Sequence, residues 1–129
     1  MSVGSYRLMR QAAGRGWFAQ IQVETVPGDP GVLWSVPLGD PESVHPPGYA
    51  AEVTAALAGA AGALAALQAA GVDTTGHTVH IRQLGILATD TEQTAIRAAS
   101  AAATAAAFDT PATVAFDGTA WHCEIPQAG

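Results

Sequence analysis

From Trp17 to Val26 apolar and polar side chains take turns. Trp17, Ala19, Ile21 and Val23 fall on one side of an extended chain, and Phe18, Gln20, Gln22 and Glu24 on the other. A period of two predicts a half-buried strand. Pro27-Gly-Asp-Pro-Gly31 is a turn by local chemistry, and Val32 to Leu38 predicts a second strand, which would close a hairpin with the first. Gly39 to Gly48 is a proline-rich loop. The period then changes. Tyr49, Val53, Leu57, Ala60, Leu64 and Leu67 recur at helical spacing, predicting a helix over about Gly48–Ala70 with those residues as its buried stripe. Gly71 is placed to end it in a left-handed conformation. Gly59 and Gly62 each cost roughly 1 kcal/mol in a helix interior, and such a cost is retained where another backbone must come close.

Alternation returns at residues 77–82, with Val79, Ile81 and then Gln83 on one face and Thr78, His80 and Arg82 on the other. A second helix follows. Asp90 with Gln93, or Thr89 with Glu92, makes a capping box. From Thr91 to Phe108 neither Gly nor Pro intervenes, and half of the residues are Ala. Asp109-Thr-Pro111 ends this helix. Ala112–Phe116, Asp117-Gly118 and Thr119–Ile125 read as a closing hairpin, with Trp121, Cys123 and Ile125 on one face and His122 and Glu124 on the other. The order β-β-α-β-α-β-β predicts an α+β fold: a two-layer sandwich in which a four- to five-stranded, mostly antiparallel sheet carries two Ala-rich helices on one face. Residues 1–15 read as a flexible Arg-containing arm, with room for an opening strand or one helical turn. Residues 16–126 are expected to form one domain and 127–129 a tail.

Charge modifies this picture. There is no Lys, and three of the five arginines, Arg7, Arg10 and Arg15, precede any carboxylate. From Gly16 onward two arginines stand against eleven carboxylates, a net of −9. An acidic body argues against nucleic acid and anionic membrane as partners, while the arginines of the arm suit something acidic. Cys123, the single cysteine, can form no internal disulfide. The first twenty residues lack the apolar segment of a secretory signal, so a cytoplasmic location is expected. Tyr49–Ala70 has about the length of a membrane span, yet its alanines, Glu52 and Gln68 favour a buried helix of a soluble domain.

Residues 16–108 resemble a known arrangement. A Phe-containing strand ends in Pro27, and a second strand leads into a Pro/Gly loop. A helix begins near Gly48-Tyr49, and then come Gly71, Gly76-His-Thr-Val-His-Ile and the Asp90-Thr91 helix start running to Ala-Ala-Ala-Phe108. This pattern is similar to the fourth domain of translation elongation factor G, a member of the ribosomal-protein-type α+β superfold with a left-handed β-α-β crossover. The resemblance implies that fold and a domain facing ribosomal RNA. The acidic body and the absence of a P-loop in this sequence depart from what such a partner and a GTP-driven factor require.

With helices on one face, the other face of the sheet would carry Gln20, Gln22, Glu24, Thr78, His80, Arg82, His122 and Glu124. Two imidazoles, a guanidinium and two carboxylates there can serve acid–base or anion-binding chemistry, and a solvated sheet face shows the same residue types. In an enzyme reading (a cofactor-free lyase, isomerase or cyclase) His80 and His122 exchange protons, with Glu124 and Arg82 positioning a substrate. In a binding reading Arg82, Gln22, Glu24, Trp34 and Trp121 contact a protein partner or a small ligand, and the tryptophan-rimmed face is also where two copies would meet in a homo-oligomer. The binding or accessory module leads, the enzyme comes second, and a detached translation-factor-like domain third. No metal site and no cofactor are expected: His77 and His80 point oppositely on a strand, as do His122 and Cys123, and Cys123 shares the parity of an apolar face, which suits a buried thiol.

Overall fold

The computed structural model describes residues 2–12, 14–46, 48–87 and 92–126. Strands β1 (Ser2–Ala12), β2 (Arg15–Pro27) and β3 (Gly31–Trp34) precede helix α1 (Ala50–Ala69). Strand β4 (His77–Gly85), helix α2 (Gln93–Ala107) and strands β5 (Thr113–Phe116) and β6 (Trp121–Glu124) follow. The main sheet has the order β1-β2-β4-β3 and is antiparallel except between β3 and β4, and β5 and β6 make a separate two-stranded sheet. The architecture is α+β, with helices packed on one side of the main sheet. The expected tail, residues 127–129, lies outside the described residues.

The core lies where the alternation of β2 predicts it. Ala19, Ile21 and Val23 are fully buried, together with Leu8 of β1 and Val79, Ile81 and Leu84 of β4. Helix α2 lies over β1 and β2 and α1 over β3 and β4, and the two helices pack against each other. That contact is close because its residues are small. A β-carbon on Gly59 would stand 2.2 Å from the Arg97 carbonyl oxygen, and one on Gly4 would stand 2.1 Å from that of Ala103. Helix α2 is therefore pressed between β1 and α1, and both neighbours need a glycine at the point of nearest approach. Ser100 donates to the Ala56 carbonyl at 2.6 Å across the same helix pair. Gly62, by contrast, faces open space.

Four expectations are corrected, and one falls outside the described residues. Residues 2–12 are no arm: they form an edge strand paired with β2 along its whole length, from Ser2 opposite Thr25 to Ala12 opposite Arg15. Buried Gly4 and Leu8 give it an inward face, and Gly14, at φ +77°, turns the hairpin. The hairpin expected between β2 and the following strand does not form, because β4 lies between them. Strand β4 is apolar toward the helices and polar away from them, and in the sheet interior it takes a partner on each edge. The turn after β2 is tied to it by Gly28 N–H to the Gly76 carbonyl (3.0 Å) and Thr78 Oγ1 to the Asp29 carbonyl (2.5 Å).

The stripe on α1 is shifted. Val53, Ala56, Gly59, Ala60, Ala63 and Leu67 are buried, Leu57 and Leu64 are at the margin, and Tyr49 is exposed, because only the small-residue side lets α2 approach. The cap pairs built on Thr89 and Asp90 lie outside the described residues. Helix α2 is capped by Glu92, whose Oε1 accepts the Ala95 N–H at 2.8 Å and the Thr94 hydroxyl. Finally, β5 and β6 stand apart from the main sheet and pack on α2, and Thr94 Oγ1 accepts the Trp121 N–H at 3.0 Å. Helix α1 is long and apolar enough to cross a membrane by length and composition alone.

Candidate binding face

Because both helices occupy one side of the sheet, the other side is an uncovered surface whose composition follows from register. The longest row crosses all four strands. Val3 of β1 pairs with Glu24 of β2, Glu24 with His80 of β4, and His80 with Leu33 of β3. Val3 and Leu33, at its two ends, are 55% and 53% exposed. The next rows are Ser5, Gln22 and Gln83, then Arg7, Gln20 and Gly85, then Met9 and Phe18. The face thus has a polar centre and apolar edges.

Its polar centre is held in fixed geometry. Arg82 places both Nε (3.1 Å) and Nη2 (2.9 Å) on Oε1 of Glu24. His80 Nδ1 lies 2.7 Å from Ser35 Oγ; with Nδ1 unprotonated the hydroxyl donates, and with Nδ1 protonated the imidazole donates. The β4 pairing slips between Gln22 and Val23, so that Arg82 is an extra residue opposite one step of β2. Such a bulge re-aims side chains: Arg82 and Gln83 both remain partly exposed, while Leu84 returns to the core. Simple alternation puts Gln83 with Val79 and Ile81, and the bulge is what overturns that.

The structure gathers some of the predicted site residues and separates others. Glu24, Arg82, His80 and Gln22 share the open face. Trp34 does not rim it: in the parallel register it pairs with Ile81 and packs against the core. Trp121 is 4% exposed, with its ring 5.8 Å from that of Trp17 and 5.3 Å from that of Phe116. His122 and Glu124 belong to the second sheet, so the proton-exchanging pair of His80 and His122 is not assembled on one surface. His122 Nε2 instead meets Asp117 Oδ2 at 2.7 Å within its own hairpin. There the Asp117 carboxyl, which also accepts the Ala120 and Thr119 backbone N–H groups, is held down at about 2. Ser35, Leu33 and Val3 are residues of this face that sequence reasoning missed. The alternation Val3, Ser5, Arg7, Met9 against Gly4, Tyr6, Leu8 was the available signal for β1.

On the helix side, a cleft of about 790 Å³ is lined by Glu42, Tyr49, Glu52, Glu92 and Arg97 among others. A second, of about 410 Å³, runs between Gly62 and Ala66 of α1 and His122 and Cys123 of β6. His80 lines neither. Cys123 faces an apolar surround, and burial, with a smaller contribution from Glu124, raises its thiol to about 11. Among the described residues no three His, Cys, Asp or Glu side chains are grouped as metal ligands would be.

No protein-family model matches the chain, and no curated protein matches it in sequence. In structure it is similar to a protein from Thermus thermophilus known from a crystal structure. The TM-score is 0.67 at 18% identity, over 84% of this chain. The chain corresponds to only 16% of the length of that protein. The likeness is one of fold.

Proposed function

We propose that this chain is a small binding or accessory module whose uncovered sheet face engages a protein partner. The observation that carries this reading is the row Val3–Glu24–His80–Leu33: exposed apolar side chains at both ends and a paired, oriented polar centre. Apolar anchors around fixed polar groups are what recognition surfaces combine. The polar centre of Glu24, His80 and Arg82 lines none of the described recesses, whereas a small substrate needs a concave site. The test is a triple substitution, Leu33→Ser with His80→Ala and Arg82→Ala, none of which touches the helix-side core. The parent chain is expected to migrate in extracts of its own cells as a species larger than itself, and the variant to lose that species while keeping its melting temperature within a few degrees. A folded variant that keeps that species overturns the reading.

A second reading is favoured by one contact. Ser35 and His80 form a hydroxyl–imidazole pair at 2.7 Å, which is the nucleophile–base contact of an activated hydroxyl. In this version of the enzyme, Ser35 replaces His122 as the partner of His80. Labelling of Ser35 by a fluorophosphonate, lost in His80→Ala, supports it, and an unlabelled wild-type chain removes it. The similarity to the fourth domain of elongation factor G supports a third, weaker reading as a translation-factor-like domain at the ribosome, against which the net charge of −6 stands. Failure to sediment with ribosomes at low salt would end it.

A further inference from the structure

We infer that the β1 edge captures an extended acidic peptide segment of a protein partner by strand addition. This rests on the binding reading above and names the chemistry of the partner. Strand β1 is the outermost strand of the main sheet, eleven residues long. An edge strand presents a row of backbone donors and acceptors to which another chain can pair. Proteins blunt such edges with charged side chains, proline, bulges or very short strands. β1 carries arginines, which repel a like-charged strand, but it contains no proline, and its register with β2 is unbroken. The opposite edge, β3, is only four residues long, so β1 is the one that offers a long template.

Charge selects the occupant. Residues 1–23 hold Arg7, Arg10 and Arg15 and no carboxylate. Arg10 is held by the Val114 carbonyl and the Tyr6 hydroxyl and Arg15 lies on β2, so Arg7 is the β1 cation presented on the open face. A second copy's β1 brings no carboxylate to it, whereas an acidic strand would complement it. Side chains on the open face of an added strand would lie beside Val3, Ser5, Arg7 and Met9. At the Arg7–Met9 end a recess of about 480 Å³ is lined by Arg7, Met9, Phe18 and Leu87. Met9 is 58% and Leu87 48% exposed. The exposed Arg7 guanidinium lies 5.6 Å over the Phe18 ring and makes no ion pair with a described carboxylate. A carboxylate opposite Arg7 and an apolar side chain two residues away, in the recess beside Met9, fit this surface with the period of a strand.

The experiment uses fluorescence anisotropy and the full chain. The probe is a fluorescein-labelled decapeptide of threonine at odd positions, with glutamate and valine alternating at even ones. Saturable binding is expected, at least tenfold weaker for the lysine-for-glutamate peptide and at least tenfold weaker for Arg7→Glu, whose folding is checked by its melting curve. N-methylation along one edge of the peptide is expected to abolish binding while the same modification along the other edge leaves it, since strand addition uses one edge only. Absence of binding at millimolar protein, equal binding by Arg7→Glu, or indifference to both methylation patterns overturns the proposal. So does concentration-dependent dimerisation that the peptide displaces, because the occupant is then a second copy. The open-face reading fails on separate grounds, when the Leu33, His80 and Arg82 variant keeps its larger species.

Discussion

Replacing Gly59 by alanine tests the helix packing that leaves the sheet face free. In an isolated helix the change is favourable by roughly 1 kcal/mol. Here the new methyl would stand 2.2 Å from the Arg97 carbonyl oxygen and 3.0 Å from both its carbonyl carbon and Cα, all backbone. Carbon contacts settle near about 3.5 Å, so α1 and α2 would have to part by more than about 1 Å. Overpacking of this kind costs about 1–3 kcal/mol. Separation would also stretch the 2.6 Å bond from Ser100 to the Ala56 carbonyl, worth about 1 kcal/mol. The net expectation is a loss of about 1–3 kcal/mol, a fall in melting temperature of about 3–12 °C for a domain of this size. Gly62, one turn further on and facing open space, provides the internal control. Gly62→Ala should gain about 0.5–1 kcal/mol from propensity alone. Urea and thermal unfolding of the two variants beside the parent give the answer. Opposite signs are predicted, and a shared stabilisation would refute the close approach of the helices.

Three further outcomes follow from particular contacts. Leu84→Ala should cost about 2–5 kcal/mol and Gln83→Ala less than about 0.5 in chemical denaturation; the reverse order would place the bulge elsewhere. The Asp117 carboxyl, lowered to about 2 by the Ala120 and Thr119 N–H groups and His122, favours the folded state above about pH 3.8. That contribution is lost as pH falls through about 2. A carbon-13 carboxyl titration should show its midpoint near 2, and a midpoint near 4 would mean that the loop bonds are not made. Cys123, raised to about 11 chiefly by burial, should react with iodoacetamide at pH 8 at least tenfold more slowly than a free thiol, while reaction at the free rate would show an open, ionisable site.

Much of the architecture could be read from residues alone, for reasons the structure makes plain. The alternation in Trp17–Val26 marked the inner and outer sides of β2 because one side meets the helices and the other meets solvent. Gly59 marked a close helix contact as its cost in a helix interior suggested, whereas Gly62, which carried the same signal, faces open space. What escaped was non-local. Strand β1 hides behind Arg7 and Arg10, which break a simple apolar pattern: Arg7 lies over Phe18, and Arg10 is spent on the Val114 carbonyl and Tyr6 hydroxyl. The insertion of β4 between β2 and β3 leaves no trace in neighbouring sequence. A one-residue bulge at Arg82 reverses parity, and no local rule foretells it. The candidate site was half legible. Glu24, His80 and Arg82 were found by parity, whereas assigning His122, Glu124 and Trp121 to the same surface presumed a single sheet. Ser35 was missed because β3 was paired with the wrong neighbour.

Site-specific photo-cross-linking tests the central claim most directly. A benzophenone amino acid placed at Leu33, on the uncovered sheet face, is compared in living cells with the same group at Ala61, on the exposed side of α1. The account predicts a discrete cross-linked protein from Leu33 and none from Ala61. Cross-links from Ala61 alone would contradict it and move the working surface to the helices.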